Sequence, residues 1–161
     1  ADVLITTGGA SVGDHDLVRP ALEAAGAKLD FYKIAMRPGK PMFFGRMGST
    51  RVLGLPGNPL SAMIGARVFL VPLLTQLLGR IDATETLTAK LAAPLAANGP
   101  RDHYMRAMLD TSAHTARVTP LAVQDSAFVS ALVKANCLAV IPANAPALPA
   151  GSDVRIMPLD F

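Results

Sequence analysis

A glycine-rich turn near the start of the chain carries the residues best suited to bind an anion. After a short apolar run the sequence reads Thr7-Gly8-Gly9-Ala10-Ser11-Val12-Gly13-Asp14-His15-Asp16, and a helical pattern begins at Leu17. Glycines lack a Cβ atom, so the backbone can turn sharply and bring its N–H groups close to a ligand. The following helix N-terminus adds unpaired N–H groups and partial positive charge. The pattern favours a phosphate-binding turn, although a turn required only by sterics has the same composition.

A second turn of the same kind follows later in the chain. It reads Leu55-Pro56-Gly57-Asn58-Pro59-Leu60-Ser61-Ala62, again between an apolar run and a helical pattern. Asn58 is suited to the N-cap of that helix and Pro59 to its first position. Helix capping explains both residues, but it does not explain the Pro-Gly pair before them. The pattern predicts a second strand-to-helix turn.

Three cations lie between the two glycine turns. Lys33, Arg37 and Lys40 fall within eight residues, in and before the predicted turn Met36-Arg37-Pro38-Gly39-Lys40-Pro41. Such a cluster beside a phosphate site is unfavourable unless an anion joins it. A solvated basic loop is the simpler interpretation of the same residues, and both interpretations stay open at this point.

Composition bounds the class of protein. With 161 residues, 51% of them hydrophobic, the chain can bury a core and form one domain or two small ones. The net charge of +3 favours an anionic ligand, but no basic run is interleaved with aromatics, so no nucleic-acid partner is expected. Cys137 is the only cysteine, which excludes an intrachain disulfide and favours a reducing, cytoplasmic compartment. His15, His103 and His114 lack metal-ligand spacing, so a zinc site is not expected.

Neither a signal peptide nor a membrane span is predicted. The longest apolar block, residues 63–78, is interrupted by polar residues and proline, and we interpret it as too short and too polar to cross a bilayer. The chain also opens almost directly into a strand at Val3, without a preceding tail or cap. We therefore expect it to be part of a longer protein.

Residues 1–82 alternate strands with helices, as α/β proteins do. We predict strand 3–7, buried on both faces, helix 17–25, strand 29–36, strands 42–44 and 51–55, and helix 59–78. The first three of these form a right-handed βαβ unit. The last helix is apolar nearly all round, kinked at Pro72 and stopped at Gly79, so we expect it to be buried on more than one side.

Residues 83–161 have the spacing of a small β-barrel or sandwich. Short segments with partial alternation cover residues 86–95, 103–109, 116–123, 135–141 and 154–159. Residues 126–134 fit one short helix or an irregular approach to a strand. The domain boundary is expected near residues 81–84, which gives domains 1–82 and 83–161.

A serine nucleophile is one alternative for the first turn. Residues 9–13 fit the G-x-S-x-G pattern that presents a nucleophilic serine, here Ser11, in the α/β-hydrolases. Such an enzyme needs an acid and then a histidine later in the chain. Only His103 and His114 follow, both in the β-rich half, where no strand-end triad is evident, so this interpretation is disfavoured.

Taken together, the turns resemble those of one known family. In letters, order and separation, residues 8–16, 37–41 and 55–62 resemble the molybdopterin molybdenumtransferase family, of the MoeA and gephyrin E-domain type. Residues 125–127, 135–138 and 149–151 resemble that family's C-terminal β-domain, so the resemblance covers nearly the whole chain. It implies an α/β fold, in which part of a three-layer molybdopterin-binding domain is followed by a small all-β, barrel-like domain.

The resemblance implies insertion of molybdate into adenylylated molybdopterin, with release of AMP, in a step that depends on Mg²⁺. Asp16 matches the family's active-site aspartate and is expected to hold the metal. Lys33 and Arg37 match its catalytic basic pair, with arginine where lysine is expected in some relatives. In the family the site is completed across a homodimer, where Arg106 and Ser126 occupy the matching positions. The other expected substrate-binding residues are Gly8, Gly9, Ser11, Gly13, Lys40, Pro56, Gly57, Asn58 and Ser61.

Two alternatives share parts of this resemblance. The related molybdopterin adenylyltransferases have the glycine turn, but they lack a C-terminal β-domain of the kind predicted after Asp82. A non-catalytic scaffold or dimerisation module would bind molybdopterin without molybdate-dependent release of AMP. Elements that precede the first turn in the family are absent from this sequence, so we expect the C-terminal half of such an enzyme. The sequence does not separate enzyme from scaffold.

Overall fold

The computed structural model describes residues 1–9, 17–80, 87–125 and 130–159, with the backbone alone at residues 130 and 131. The chain divides into two units, Ala1–Ile34 with Pro38–Leu77, and Ala35–Arg37 with Leu78–Phe161. The short segment Ala35–Arg37 thus belongs to the second unit, although its neighbours in sequence belong to the first. The boundary predicted near residues 81–84 lies outside the described residues and stays a prediction.

The described elements agree in position with most of the predicted ones. The strands are β1 (Val3–Thr7), β2 (Lys28–Tyr32), β3 (Met36–Arg37), β4 (Phe43–Met47), β5 (Thr50–Leu55), β6 (Leu87–Leu91), β7 (Asp102–Asp110), β8 (Arg117–Pro120), β9 (Cys137–Ile141) and β10 (Asp153–Pro158). The helices are α1 (Val18–Ala24), α2 (Pro59–Gly65), α3 (Val71–Leu77) and α4 (Ser130–Val133), with a π-helical segment, Ala66–Leu70, between α2 and α3.

The sheet of the first unit has helices on both faces. Its strand order is β1-β5-β4-β2, with β1 parallel to β5 and the other neighbouring pairs antiparallel. Val18 and Leu22 of α1 pack against a core cluster that contains Val52 of β5. On the same strand Leu55 lies against Gly65 of α2. Because residues 52 and 55 point to opposite faces of a strand, the three layers predicted from the sequence are confirmed.

Two predictions for this sheet are wrong in detail. The second strand ends at Tyr32 instead of Met36, because Lys33 has a left-handed backbone (φ 67°) that interrupts the extended conformation. The predicted βαβ unit, by contrast, is present, because β1 and β2 are parallel strands of one sheet joined through α1, with β5 and β4 between them. Finally, β1 is not buried on both faces. Ile5 is 41% exposed, because β1 is an edge strand among the described strands and that face of it is uncovered.

The second strand-to-helix turn forms as predicted. The Ser61 N–H donates to the Asn58 side chain (3.0 Å), and Pro59 is the first helical residue. Pro72 has no N–H to donate to the carbonyl four residues earlier. Just before it, over Ala66–Leu70, the helix changes to π-type hydrogen bonding. The irregularity predicted at Pro72 therefore takes the form of a π-helical segment.

The helical stretch from residue 59 to residue 77 leaves much of its apolar surface exposed. The sequence predicts burial on more than one side, but α3 contains no buried residue, and Leu74 is 40% exposed. The buried residues lie in α2 and in the π-helical segment, at Leu60, Ser61, Ile64, Gly65 and Arg67. The prediction is wrong for the described chain, because no described element covers the outer face of α3. Gly79 (φ 67°) follows the helix, in agreement with its predicted role as a stop.

The same stretch is long and apolar enough to cross a membrane, judged by length and composition alone. Pro59–Leu77 spans 19 residues with a mean hydropathy of 1.6, and 28% of the apolar window is buried. The prediction that this block is too short and too polar is therefore wrong. One such helix is weak evidence for a membrane span, because core helices of soluble proteins have the same length and composition.

The second unit contains a closed five-stranded β-barrel. β7 pairs with β8 through residues 107–110 and with β9 through residues 103–107. The pairs β8–β6, β6–β10 and β10–β9 complete the ring. Its interior contains small and branched residues, among them Ala89, Ala107, Val118 and Ile156. The barrel-like fold and the five predicted strand segments are confirmed. β3 joins this unit by pairing in parallel with the first residues of β7.

Gly54 of β5 has no room for a side chain, and this gives a test of the sheet packing. A Cβ atom there would overlap with the ring of Phe43, its fully buried cross-strand neighbour. We expect Gly54→Ala to lower the free energy of unfolding by about 3 kcal/mol. The control is Gly48→Ala, where the Cβ meets nothing within 4 Å but φ is 58°, so the loss should be about 1 kcal/mol. Urea denaturation measures both, and equal losses would contradict this packing.

Candidate functional site

The two glycine turns meet through their glycines in the first unit. The Gly8 N–H donates to the Leu55 carbonyl (3.0 Å), at the end of the β1–β5 ladder. A Cβ atom on Gly57 would lie only 3.3 Å from the Gly8 Cα, so the backbones approach closely because side chains are absent. Gly8 and Gly9 also have left-handed backbones, with φ of 80° and 68°. Since β1 and β5 are parallel, both turns lie at the carboxyl edge of the sheet, where α/β proteins bind ligands.

Only part of the second glycine turn is accessible to a ligand. Gly57 is exposed and Asn58 half-buried, whereas Pro56 and Ser61 are buried. The Ser61 N–H is already bonded to the Asn58 side chain. Of the four residues predicted to bind substrate in this turn, Gly57 and Asn58 are therefore the accessible ones.

Four predicted site residues lie outside the described residues. They are Ser11, Gly13 and Asp16 in the first turn, and Ser126 in the β-rich half. In the parts of the chain that are described, no group of three or more His, Cys, Asp or Glu side chains could hold a metal ion. Asp16, the residue expected to hold the metal, lies outside the described residues, so the metal site stays a prediction.

The three predicted cations divide between the two units. Lys33 and Lys40 belong to the first unit and Arg37 to the second, and all three are exposed. The Lys33 ammonium lies 5.2 Å from the centroid of the Tyr32 ring, and the Arg19 guanidinium lies 4.6 Å from the same centroid. Both distances fit cation–π contacts. Tyr32 thus contacts two cations beside the end of β2, of which Arg19 is already ion-paired with Glu23 (2.9 Å).

Arg106 is a fully buried charge in the second unit. It lies on β7 with 0% exposure. Its Nη2 donates to the carbonyls of Val123 (3.0 Å) and Asp125 (3.3 Å), whereas Nε and Nη1 have no hydrogen-bond partner among the described residues. Burial lowers the pKa of Arg106, with Asp125 opposing this and Arg37 adding to it. Arginine nevertheless stays protonated in proteins. A buried cation with two unbonded nitrogens favours an anionic ligand.

His103 lies on the same strand and stays neutral at physiological pH. Burial lowers its pKa to about 4, and the charges of Arg37, Arg106 and Arg101 act in the same direction. Arg37 is its direct cross-strand neighbour in the β3–β7 pair. A catalytic histidine of a hydrolase needs a carboxylate partner, whereas the groups that shift this pKa are three arginines. The second unit therefore surrounds a neutral imidazole with positive charge.

The sequence gives no signal for this arrangement around His103. Arg37 and His103 are far apart in the chain, and only the pairing of β3 with β7 makes them neighbours. A strand of two residues is too short to show an alternating pattern. Gln124, which bonds the backbone of Arg106, has no signal in the sequence either, because a single glutamine carries no pattern.

Two family models match the chain in tandem. Residues 1–76 match a model described as a probable molybdopterin binding domain. Residues 88–159 match one described as the MoeA C-terminal region (domain IV). Each match coincides with one of the two folded parts described above.

Curated relatives match nearly the whole chain. A molybdopterin molybdenumtransferase of Haemophilus influenzae is 33% identical over 168 residues, covering 99% of this chain and 40% of that relative. Molybdopterin molybdenumtransferase 2 of Mycobacterium tuberculosis is 34% identical over 169 residues, with the same coverage, 99% and 40%. A molybdopterin molybdenumtransferase of Staphylococcus aureus is 31% identical over 157 residues, covering 97% and 38%. The chain thus spans about 40% of the length of these relatives.

Solved structures with a similar fold cover nearly the whole chain as well. A molybdopterin biosynthesis MoeA protein of Pyrococcus horikosii has a TM-score of 0.77 at 26% identity, covering 98% of this chain and 37% of that chain. A molybdenum cofactor biosynthesis protein of Pyrococcus furiosus has a TM-score of 0.69 at 24% identity, covering 91% and 55%. The second likeness concerns the fold alone.

His103 should make the folded state less stable in acid. Its folded pKa of about 4 lies below the ordinary 6.5, so the unfolded chain takes up the proton first as the pH falls. The contribution of His103 to the free energy of unfolding is therefore fully present above pH 6.5 and decreases towards pH 4, by on the order of 3 kcal/mol. His103→Gln does not titrate in this range and should lose less stability. Urea denaturation from about pH 7 to about pH 4 measures the free energy of unfolding of both proteins. If it falls equally with pH in both, the lowered pKa of His103 is refuted.

Lys33 carries backbone strain that a glycine would relieve. Its φ of 67° lies in the left-handed region, which costs a residue other than glycine about 1 kcal/mol. Lys33→Gly should therefore be more stable than Lys33→Ala by about 1 kcal/mol. Both variants remove the ammonium, so the comparison isolates the backbone. Thermal denaturation followed by circular dichroism measures it, and identical midpoints would show that no strain is stored at this position.

Proposed function

Because the chain belongs to the MoeA family, we propose that it acts in molybdenum cofactor biosynthesis, within a molybdopterin molybdenumtransferase that inserts molybdate into adenylylated molybdopterin and releases AMP. The observation that carries the proposal is the buried guanidinium of Arg106, whose Nε and Nη1 lack a partner among the described residues. Molybdate is a tetrahedral dianion. Guanidinium N–H groups bind such oxyanions through short, charge-assisted hydrogen bonds.

Arg37 and His103 support the assignment of the oxyanion to this part of the molecule. Arg37 is the cross-strand neighbour of His103, and its charge also lowers the pKa of Arg106, so a second guanidinium acts on the start of β7. His103 is neutral, so it adds no further cation to repel the arginines and can exchange hydrogen bonds with a ligand through its ring nitrogens. A dianion would offset the charge of the two arginines.

The paired glycine turns support binding of the phosphorylated pterin in the first unit. The close approach of Gly8 and Gly57 puts two stretches of backbone at one edge of the sheet, where N–H groups can reach a phosphate. Lys33 and Lys40 belong to the same unit and are exposed. In this proposal they neutralise the phosphate charge that develops as AMP leaves.

Further parts of the proposal rest on the resemblance. Asp16 would hold a Mg²⁺ ion, and Ser11, Gly13 and Ser126 would contact the substrate, as the family pattern implies. A homodimer would complete the site, and the exposed apolar face of α3 supports such an association, since contiguous apolar surface marks interfaces. We also propose a cytoplasmic location, supported by a single cysteine in the chain, with neither a membrane nor a nucleic acid as partner.

Arg106→Met tests the proposal directly, with molybdate alone as the probe. Loss of a charge-assisted hydrogen bond weakens binding by about 10-fold or more. We expect that loss for Arg106→Met by isothermal titration calorimetry. Arg101→Met is the matched control, because Arg101 also acts on His103 but is exposed, and its affinity for molybdate should change less than about twofold. Equal affinities for all three proteins would refute a molybdate site at Arg106.

The same proteins separate an enzyme from a scaffold. With adenylylated molybdopterin as substrate, an enzyme releases AMP only when molybdate is added, and Arg106→Met should slow that release. Binding of molybdopterin without molybdate-dependent release of AMP would support the non-catalytic scaffold instead.

A further inference from the structure

Gln124 is bonded to the main chain of Arg106 at both of its polar groups. The Arg106 N–H donates to Gln124 Oε1 (3.1 Å), and Gln124 Nε2 donates to the Arg106 carbonyl (2.9 Å). The second hydrogen of Nε2 is directed to the Leu121 carbonyl (2.7 Å). Nitrogen facing two carbonyls and oxygen facing an N–H is the one orientation of the carboxamide that satisfies all three bonds. The side chain thus pairs with β7 in the manner of a neighbouring strand.

The residues on either side of Gln124 hold the other end of Arg106. The Val123 and Asp125 carbonyls both accept from Nη2 of the guanidinium. Residues 123–125 therefore bind Arg106 in two places. The Gln124 side chain bonds its main chain, and the carbonyls of Val123 and Asp125 accept from its guanidinium. Nη2 is satisfied in this way, whereas Nε and Nη1 are buried donors without a partner among the described residues.

We propose that Gln124 is a positioning residue for Arg106. By fixing residues 123–125 against β7, its carboxamide fixes the two carbonyls that orient the guanidinium, and so determines which nitrogens are presented to an oxyanion. Gln124 acts through Arg106 and does not itself contact the ligand. That the oxyanion is molybdate rests on the proposed function, whereas the orientation of Arg106 by Gln124 does not.

Asn136 provides a matched control, because its side chain bonds the same strand, β7, from a position just before β9. Its Oδ1 accepts from the Leu109 N–H (2.7 Å), and its Nδ2 donates to the Leu109 carbonyl (2.9 Å). The side chain therefore makes the same pair of main-chain bonds three residues further along β7. Leu109 carries no charge. Loss of either carboxamide removes main-chain bonds from β7, but only loss of Gln124 should affect a guanidinium.

The test compares Gln124→Leu with Asn136→Leu in the 161-residue chain. We expect Gln124→Leu to weaken molybdate binding by about fivefold or more in calorimetry, and Asn136→Leu to change it by less than about twofold. Thermal midpoints should fall in both variants, since both lose hydrogen bonds of similar kind. A purely structural role of Gln124 predicts instead that both variants lose the same small amount of affinity, and that result would overturn the proposal.

A spectroscopic readout keeps the test independent of molybdate. The Arg106 Nε–H gives a ¹⁵N–¹H resonance, assigned by its absence in Arg106→Lys, and it should move in Gln124→Leu but not in Asn136→Leu. An unchanged resonance in Gln124→Leu overturns the positioning role. If every variant, Arg106→Met included, still bound molybdate as the native chain does, the proposed function would be refuted. The Arg106 resonance would still decide the role of Gln124.

Gln124→Glu covers the case in which Gln124→Leu does not fold. The carboxylate keeps an acceptor for the Arg106 N–H but loses the donor to the Arg106 and Leu121 carbonyls, which its oxygen would repel. We expect the resonance to move in this variant as well, and a resonance identical to that of the native chain would count against the proposal.

Discussion

The first unit depends on the close approach of two backbones that carry no side chains. Gly57 and Gly8 are so near that a Cβ atom on Gly57 would lie 3.3 Å from the Gly8 Cα. The Gly8 N–H bonds the Leu55 carbonyl, so the parallel pairing of β1 and β5 extends to where both strands end. Each strand can then turn into its loop at the same edge of the sheet. A larger residue at Gly57 would press against the Gly8 backbone, and one at Gly8 would strain a backbone whose φ is 80°, so either change would disturb the N–H groups available to one ligand.

In the second unit, a single long strand organises both the barrel and its buried charge. β7 pairs with β9 through its first half, with β8 through its second half, and with β3 at its start. Ala107 faces the barrel core, whereas the adjacent Arg106 points to the opposite face, where residues 123–125 cover it. Burial of the cation is therefore achieved outside the apolar interior, against main-chain carbonyls, which lowers the cost of removing it from water.

Features encoded by short stretches of sequence could be predicted, and those made by distant residues could not. The second glycine turn, the Asn58 cap and the barrel strands follow from local residue types and periodicity, and they occur as expected, whereas residues 10–16 of the first turn lie outside the described residues. The left-handed backbone of Lys33 has no local signal, because lysine seldom adopts it. The pairing of Arg37 with His103 and the bonds of Gln124 to Arg106 join residues far apart in sequence. The prediction that residues 59–78 are buried on more than one side is wrong. The apolar pattern indicates a preference for apolar surroundings, but it does not show whether the described chain provides them.

The placement of β3 affects whether one unit can be replaced without the other in evolution. Ala35–Arg37 belongs to the barrel unit, yet the chain returns to the first unit at Pro38 to add β4 and β5. A gene fusion that joined a foreign barrel after residue 77 would bring a barrel without this strand. Asp102 and His103 would then form an open edge, free to pair with other chains. The interleaved order of the polypeptide thus links the two units in evolution, since neither can be exchanged intact by one recombination event.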